Sequence, residues 1–135
     1  MDVHSREQRS RNMAAIKGKN TKPELIIRKL THRLGYRFRL HRRDLPGCPD
    51  LVFPALRRII FVHGCYWHMH SCRRGSVTPK TNAAFWQAKR CGNVARDRRC
   101  VRELVANKWH VLILWECYTR DTRKLEKRLR QFLAS

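Results

Sequence analysis

PDLVFPALRRIIFVHG, running from Pro49 to Gly64, sets the fold. Its two apolar runs, PDLVF and RRIIFVHG, are parted only by the turn-like PAL, a separation that suits a β-hairpin. Just upstream, YRFRLHR (36–42) alternates apolar and basic residues with period two, the pattern of a half-exposed strand. Three consecutive strands are therefore predicted. A helix precedes them in TKPELIIRKLTHRLGY, with Thr21 as N-cap, Pro23 in the first turn, Glu24 three residues after the cap, apolar Ile26, Ile27, Leu30 and Leu34, and Gly35 as the stop.

Beyond the hairpin, RRGSVTPKTN reads as a loop, and AAFWQAKR and NVARDRRCVRELVAN read as two helices, the second placing Val94, Cys100, Val101, Leu104 and Val105 on one side. WHVLILWEC reads as a buried strand, too short for a membrane, and TRKLEKRLRQFLA as a closing amphipathic helix with Leu125, Leu129 and Phe132 or Leu133 inward. The expected fold class is an α/β sandwich of order α-β-β-β-α-β followed by that last helix. No repeat, low-complexity tract or linker divides it, so residues 21–135 are expected to be one domain. Residues 1–20 precede it as a basic arm with some helical character around Ser10 to Ile16.

A chain of 135 residues can bury roughly two-thirds of its unfolded surface and need not rely on metal alone to fold. Its net charge of +21, from 31 Lys and Arg against 10 Asp and Glu, calls for a polyanionic partner. Nucleic acid fits better than a membrane surface, since no apolar run approaches the ~20 residues that span a bilayer. The polar, basic N-terminus lacks the apolar core of a signal peptide, so a cytoplasmic protein is expected. Six cysteines in that reducing compartment read as metal ligands sooner than as disulfides.

The stretch FVHGCYWHMHSC (61–72) concentrates histidine, cysteine and paired aromatics, and suits a zinc staple, an active site or a DNA wedge. Cys65 and Cys72, a histidine between them (His68 or His70) and the distant Cys117 would supply four tetrahedral ligands. The plainer role of small buried hydrophobes suits Cys48, Cys91 and Cys100 better. Asp50, at the head of a strand and followed by a hairpin, suits a carboxylate that holds Mg²⁺ near a phosphate, although a turn residue would look the same. Glu24 has an equally plain account as half of a capping box. Both gain weight because acids are so scarce in this chain. Core packing is the ordinary fate of tryptophan, and Trp109 and Trp115 are assigned to it. Tyr66 and Trp67, set between metal ligands, are expected to stay partly exposed, and Trp86 is open to either role.

KNTKPELIIRKL, LPGCPDLVF, FVHGCYWHMHSC, FWQAKRCGNVARDRR and VLILWEC, in that order, resemble the very short patch repair endonucleases, which nick DNA at T:G mismatches. The likeness runs from about Ser5 to Cys117, and the HGCxWHxHxC core is highly specific to that family. It implies the restriction-endonuclease-like fold, a variant of the PD-(D/E)xK architecture with a structural zinc site. It also implies catalytic Mg²⁺ on Asp50 and the main-chain carbonyl of Val62, His68 activating the attacking water with Glu24 orienting it, and His63 close to the scissile phosphate. Cys65, His70, Cys72 and Cys117 match the structural Zn²⁺ ligands. Tyr66, Trp67 and Trp86 match aromatics that wedge between base pairs, and Met13 of the arm would enter from the opposite groove. The implied partners are double-stranded DNA with a T:G mismatch, a cytosine-5 methyltransferase whose deaminated product is repaired, and mismatch-repair proteins. A monomer is expected, because one nick needs one active site. Four positions depart from the family pattern: Val62 in place of threonine, Met69 and Ser71 in place of residues often histidine, and Cys48 in place of a basic residue. On charge and the Cys/His cluster alone, a zinc-stapled, non-catalytic nucleic-acid-binding protein would account for the chain equally well. The combination of Asp50, Glu24 and His68 is what separates the two.

Overall fold

A computed structural model describes residues 20–134. The expected arm, its helical stretch and Met13 therefore lie outside the described residues, save Asn20. The first helix, α1 (Lys22–Arg33), starts where Thr21 turns extended, but the Thr21 side chain caps nothing. The amide of Asn20, one residue before the cap, donates to Glu24 Oε2 at 3.2 Å and ties the incoming chain to the first turn. The helix stops as predicted at Gly35, whose φ of +92° lets Gly35 N–H reach His32 O and Tyr36 N–H reach Thr31 O. This is the paired bond pattern of a glycine C-terminal cap.

Four strands follow in one sheet ordered β1-β2-β3-β4: β1 (Arg39–Leu40), β2 (Leu51–Phe53), β3 (Arg58–His63) and β4 (His110–Trp115). β1 is shorter than the 36–42 predicted from its alternation, because His41 takes a left-handed conformation (φ +47°) and ends the ladder. β2 and β3 form the predicted hairpin, antiparallel with Leu51 opposite Ile60 and Phe53 opposite Arg58. The turn is a short 3-10 helix, Pro54–Leu56, closed by a left-handed Arg57. β4 runs parallel to β3, from Arg58 opposite His110 to His63 opposite Trp115. A parallel neighbour requires a crossover. α2 (Ala83–Ala106) supplies it, and α3 (Thr122–Ala134) closes the chain after a 3-10 turn, Glu116–Arg120.

Period-two alternation sorts the strands onto two faces. Leu51, Phe53, Ile60 and Leu114 pack with Ile27 and Leu30 of α1 and with Leu125, Leu129 and Leu133 of α3. Val52, Ile59 and Phe61 pack with Trp109 and with Leu104 of α2. The sheet thus lies between α1 and α3 on one side and α2 on the other, in the predicted element order. Leu133 is the inward residue of its pair, and Phe132 is half-buried at the margin.

Three expectations are corrected. The two helices predicted at 83–90 and 93–107 are one, because Gly92 lies on an open face where it costs helix stability, about 1 kcal/mol relative to alanine, without breaking the hydrogen-bond ladder. Val105 faces solvent, and the α2 contact with the sheet is made by Leu104. Trp115 is not a core residue. It stands half-buried at the end of β4, its ring stacked on His70 at 4.2 Å and edge-on to His63 at 5.3 Å. Among the described residues, no helix is long and apolar enough to cross a membrane.

The hairpin decides where chemistry can occur. Because β2 and β3 are antiparallel, Asp50 at the head of β2 lies beside Val62 and His63 at the tail of β3. Parallel β4 brings Trp115, and just beyond it Cys117, to the same end.

Candidate active site and Cys/His metal centre

Asp50 Oδ2 accepts the Val62 N–H at 2.6 Å, which fixes the carboxylate against the end of β3. Burial pushes the Asp50 carboxyl up to about 7; the Val62 amide and Arg28 pull against this, and Glu24 adds to it. Glu24, on α1, is buried and accepts from Arg28 Nη2 at 2.8 Å and lies 3.0 Å from His41 Nε2. His41 Nε2 also stands 3.8 Å from Asp50 Oδ1. Glu24, His41 and Asp50 can therefore offer one donor atom each to a common cation.

One residue further along β3, His63 begins a second group. Its ring stacks on that of His68, 3.9 Å apart and 6° from parallel. His68 Nδ1 lies 2.5 Å from Asp97 Oδ2, and His63 Nε2 lies 3.8 Å from Asp97 Oδ1. Burial, then the neighbouring His68, push the His63 imidazole down to about 4 against the pull of Asp97, so it is uncharged near neutrality. Its Nδ1 is buried without a hydrogen-bond partner among the described residues. Glu24 was expected to orient His68, but the hydrogen-bond partner of that histidine is Asp97 on α2, and the Glu24 carboxylate is taken up by Asn20, Arg28 and His41.

Asp97 and His41 were not read as site residues. The scarcity of acids that drew attention to Glu24 and Asp50 applies equally to Asp97, alone within RDRR. His41 gave no such signal, since it looked like the polar face of a strand.

Cys65, His70, Cys72 and Cys117 form the third group, with one donor atom from each, all within 4.8 Å of one another. Cys117 Sγ is 3.5 Å from His70 Nδ1, and the Cys117 N–H points to Cys65 Sγ at 3.4 Å. Of the two histidines between Cys65 and Cys72, His70 joins the sulfurs, while His68 is turned to Asp97. The Gly75 amide, chiefly, draws the Cys72 thiol down to about 6, whereas burial pushes Cys65 up to about 12 and raises Cys117. The loop closes so tightly that a Cβ on Gly75 would meet the His70 carbonyl oxygen at 1.8 Å. Of the cysteines assigned to packing, Cys48 and Cys100 are half-buried, and Cys91 is exposed, contrary to expectation.

The aromatics form a chain of edge-to-face contacts: Tyr66 to Trp67 at 5.0 Å, Trp67 to Trp86 at 5.8 Å and Trp86 to Phe85 at 5.0 Å. Tyr66, Trp67 and Trp86 are half-buried and Phe85 is exposed. Arg90 holds this assembly from within. Only 1% exposed, it donates to the carbonyls of Tyr66, Gly75 and Val77 and lies 4.3 Å from the Tyr66 ring centre. Arg90→Met should leave those carbonyls unpaired and lower unfolding free energy by about 2–4 kcal/mol, measured by urea denaturation. Arg90→Lys should recover only part of the loss, because an ammonium cannot reproduce the guanidinium fork.

Comparison with known proteins places the chain in a family. The family profile described as DNA mismatch endonuclease Vsr matches residues 1–74. The type II nicking enzyme V.XorIIP of Xanthomonas oryzae pv. oryzae is 49% identical over 132 residues, covering 98% of this chain and 96% of that protein. The DNA mismatch endonuclease Vsr of Escherichia coli K12 is 44% identical over 124 residues, covering 92% and 79%. The type II nicking enzyme V.NmeAIP of Neisseria meningitidis is 34% identical over 132 residues, covering 98% and 94%. The chain belongs to the Vsr family of DNA mismatch endonucleases.

Proposed function

We propose that this protein is a Mg²⁺-dependent endonuclease that nicks one strand of DNA at a T:G mismatch, 5′ of the mispaired thymine, to begin repair of deaminated 5-methylcytosine. The names of its relatives, nicking enzymes and a mismatch endonuclease, support the class of reaction. The observation that carries it is the tail of β3, where Val62 holds Asp50 and the adjacent His63 stacks on His68, so that a carboxylate cradle and a histidine–aspartate pair meet on consecutive residues.

The donor set at Asp50 fits a hard divalent cation, with a half-buried carboxylate that the fold by itself holds partly protonated and a second carboxylate beside it. Asp50 and the Val62 carbonyl would hold the ion, which supplies charge neutralisation at the phosphate and a more acidic bound water. An ionised Asp97 can only accept, so His68 Nδ1 carries the proton between them and Nε2 is left to take a proton from the attacking water. Asp97 fixes the tautomer and stabilises the imidazolium that forms. His63, uncharged, stands beside it at the phosphate. The three thiols and one imidazole of the other centre suit Zn²⁺.

Tyr66, Trp67 and Trp86 form the wedge. A mispaired step is more weakly stacked, so insertion there costs less than in paired DNA. The arm at 1–20, with Met13, would grip the opposite groove, and the whole would act as a monomer of restriction-endonuclease-like fold. A cytosine-5 methyltransferase would create the sites it repairs, and mismatch-repair proteins are candidate partners.

The test is a strand-resolved cleavage assay on duplexes that differ in a single T:G or T:A pair, with Mg²⁺ or EDTA. The expected result is Mg²⁺-dependent cutting of the thymine strand at T:G alone. Tight binding without cleavage, across several flanking sequences, would leave a zinc-stapled binding protein instead.

A further inference from the structure

We infer that His41 is a third donor of the catalytic metal site and tilts that site from Mg²⁺ towards divalent ions that accept a nitrogen ligand more readily, such as Mn²⁺. The inference rests on the reading that a divalent cation sits at Asp50. His41 is tied to Asp50 twice. Its N–H donates to the Asp50 carbonyl at 3.3 Å, and the left-handed turn at His41 (φ +47°) directs its side chain into the cradle, where it is 12% exposed.

Which atoms remain to bind an ion follows from the hydrogen bonds. Val62 N–H occupies Asp50 Oδ2, so Oδ1 is the oxygen left to a cation. His41 Nε2 lies 3.8 Å from that Oδ1 and 3.0 Å from Glu24 Oε2. Donors each about 2.1 Å from a common ion stand about 3–4 Å apart, so Asp50 Oδ1 and His41 Nε2 are spaced as ligands of one cation, while Glu24 Oε2, already accepting from Asn20 and Arg28, holds the imidazole from its other side. The charged neighbour is Arg28, whose Nη2 lies 2.8 Å from Glu24 Oε2 and 3.4 Å from His41 Nε2. It balances one carboxylate, so the cradle keeps a single net negative charge with both acids ionised and His41 neutral; against ionised Glu24 the imidazole proton sits on Nε2, and binding an ion there moves it to Nδ1, which frees Nε2 as a ligand. An all-oxygen site suits Mg²⁺, whereas an imidazole nitrogen raises affinity for ions later in the divalent series.

The experiment uses the full chain with its Cys/His centre loaded with zinc, and Mn²⁺ and Mg²⁺ as probes. Pulsed electron paramagnetic resonance of one bound Mn²⁺ should show ¹⁴N modulation from a directly coordinated imidazole. His41→Gln should abolish that signal and weaken Mn²⁺ by about tenfold, while Mg²⁺ binding, measured by competition, changes by less than about threefold. His41→Asp should restore tight binding of both ions without the nitrogen signal, which separates loss of a ligand from loss of structure. If Mn²⁺ binding is lost in Asp50→Asn but the nitrogen signal persists in His41→Gln, the ion is where it was placed and His41 is not its ligand. Equal weakening of both ions in His41→Gln would also overturn the inference, making His41 a hydrogen-bonding support. If Mn²⁺ binding survives Asp50→Asn unchanged, the ion lies elsewhere and the metal reading falls together with the inference.

Discussion

Asp50→Asn will cost at least about a thousandfold in nicking, some 4 kcal/mol of transition-state stabilisation, and will make the folded protein more stable at pH 8. The first half follows from the metal reading, because an amide is a far weaker ligand for a hard cation than a carboxylate is. The second follows from burial. Asp50 has its carboxyl pushed up to about 7 in the fold, against an ordinary value of 3.8. Between those values the folded chain retains a proton that the unfolded chain has released, so this group makes stability fall as pH rises from about 4 to about 7. Asparagine accepts the same Val62 hydrogen bond and carries no charge to desolvate. The difference between variant and parent should be near zero below pH 4, grow through the window and level off above 7. Its expected plateau is about 1–3 kcal/mol, below the ~4 kcal/mol ceiling that the shift sets. Urea titrations at pH 4, 6 and 8 measure it. A variant that is less stable at every pH would mean that the Asp50 carboxylate holds the fold together and is not strained by it.

The sequence predicts the hairpin because period-two alternation and a short turn act locally, and from the hairpin the pairing of Asp50 with the tail of β3 follows by geometry alone. The glycine stop after α1 is legible for the same reason. The identity of partners across the site is not local. His41 looks like strand surface until the left-handed turn directs it inward, and Asp97 looks like one more charge on a basic helix until α2 brings it under His68. Arg90 is the clearest case. Arginine is an exposed residue by default, and only the closure of the loop after β3 supplies the backbone carbonyls that let it be buried. The fusion of two predicted helices into α2 has an equally plain cause, since Gly92 weakens a helix without ending one.

On the proposed reading that a metal ion sits in the Cys/His centre, removing it should open the loop from Gly64 to Val77 while the sheet and its helices persist. That loop carries few buried apolar groups, and what closes it is the four-residue cluster together with polar contacts from α2: Arg90, Asn93 to the Trp67 carbonyl and Asp97 to His68. The two apolar cores on either side of the sheet contain none of its residues. Structural zinc is worth about 10–16 kcal/mol in peptides that fold only with metal; here much of that would be spent ordering the loop, and a net loss of about 3–5 kcal/mol is expected. Hydrogen exchange should show protection lost first at 64–77, and Cys117→Ser should do the same as chelation. Nicking should fall with the loop, because Tyr66, Trp67 and His68 all lie between Cys65 and Cys72. The pH dependence has a definite sign. Metal binding needs thiolates, and near neutrality Cys72, drawn down to about 6, is already ionised, whereas Cys65 and Cys117 are still protonated. Uptake should therefore release about two thiol protons per ion at pH 7 and about three below pH 6, so affinity falls with acid and falls faster below 6. Proton release measured alongside metal titration checks this. If exchange protection of the loop and nicking both survive complete removal of the metal, the contacts from α2 and the backbone bonds alone set the loop, and the centre is not what positions the wedge.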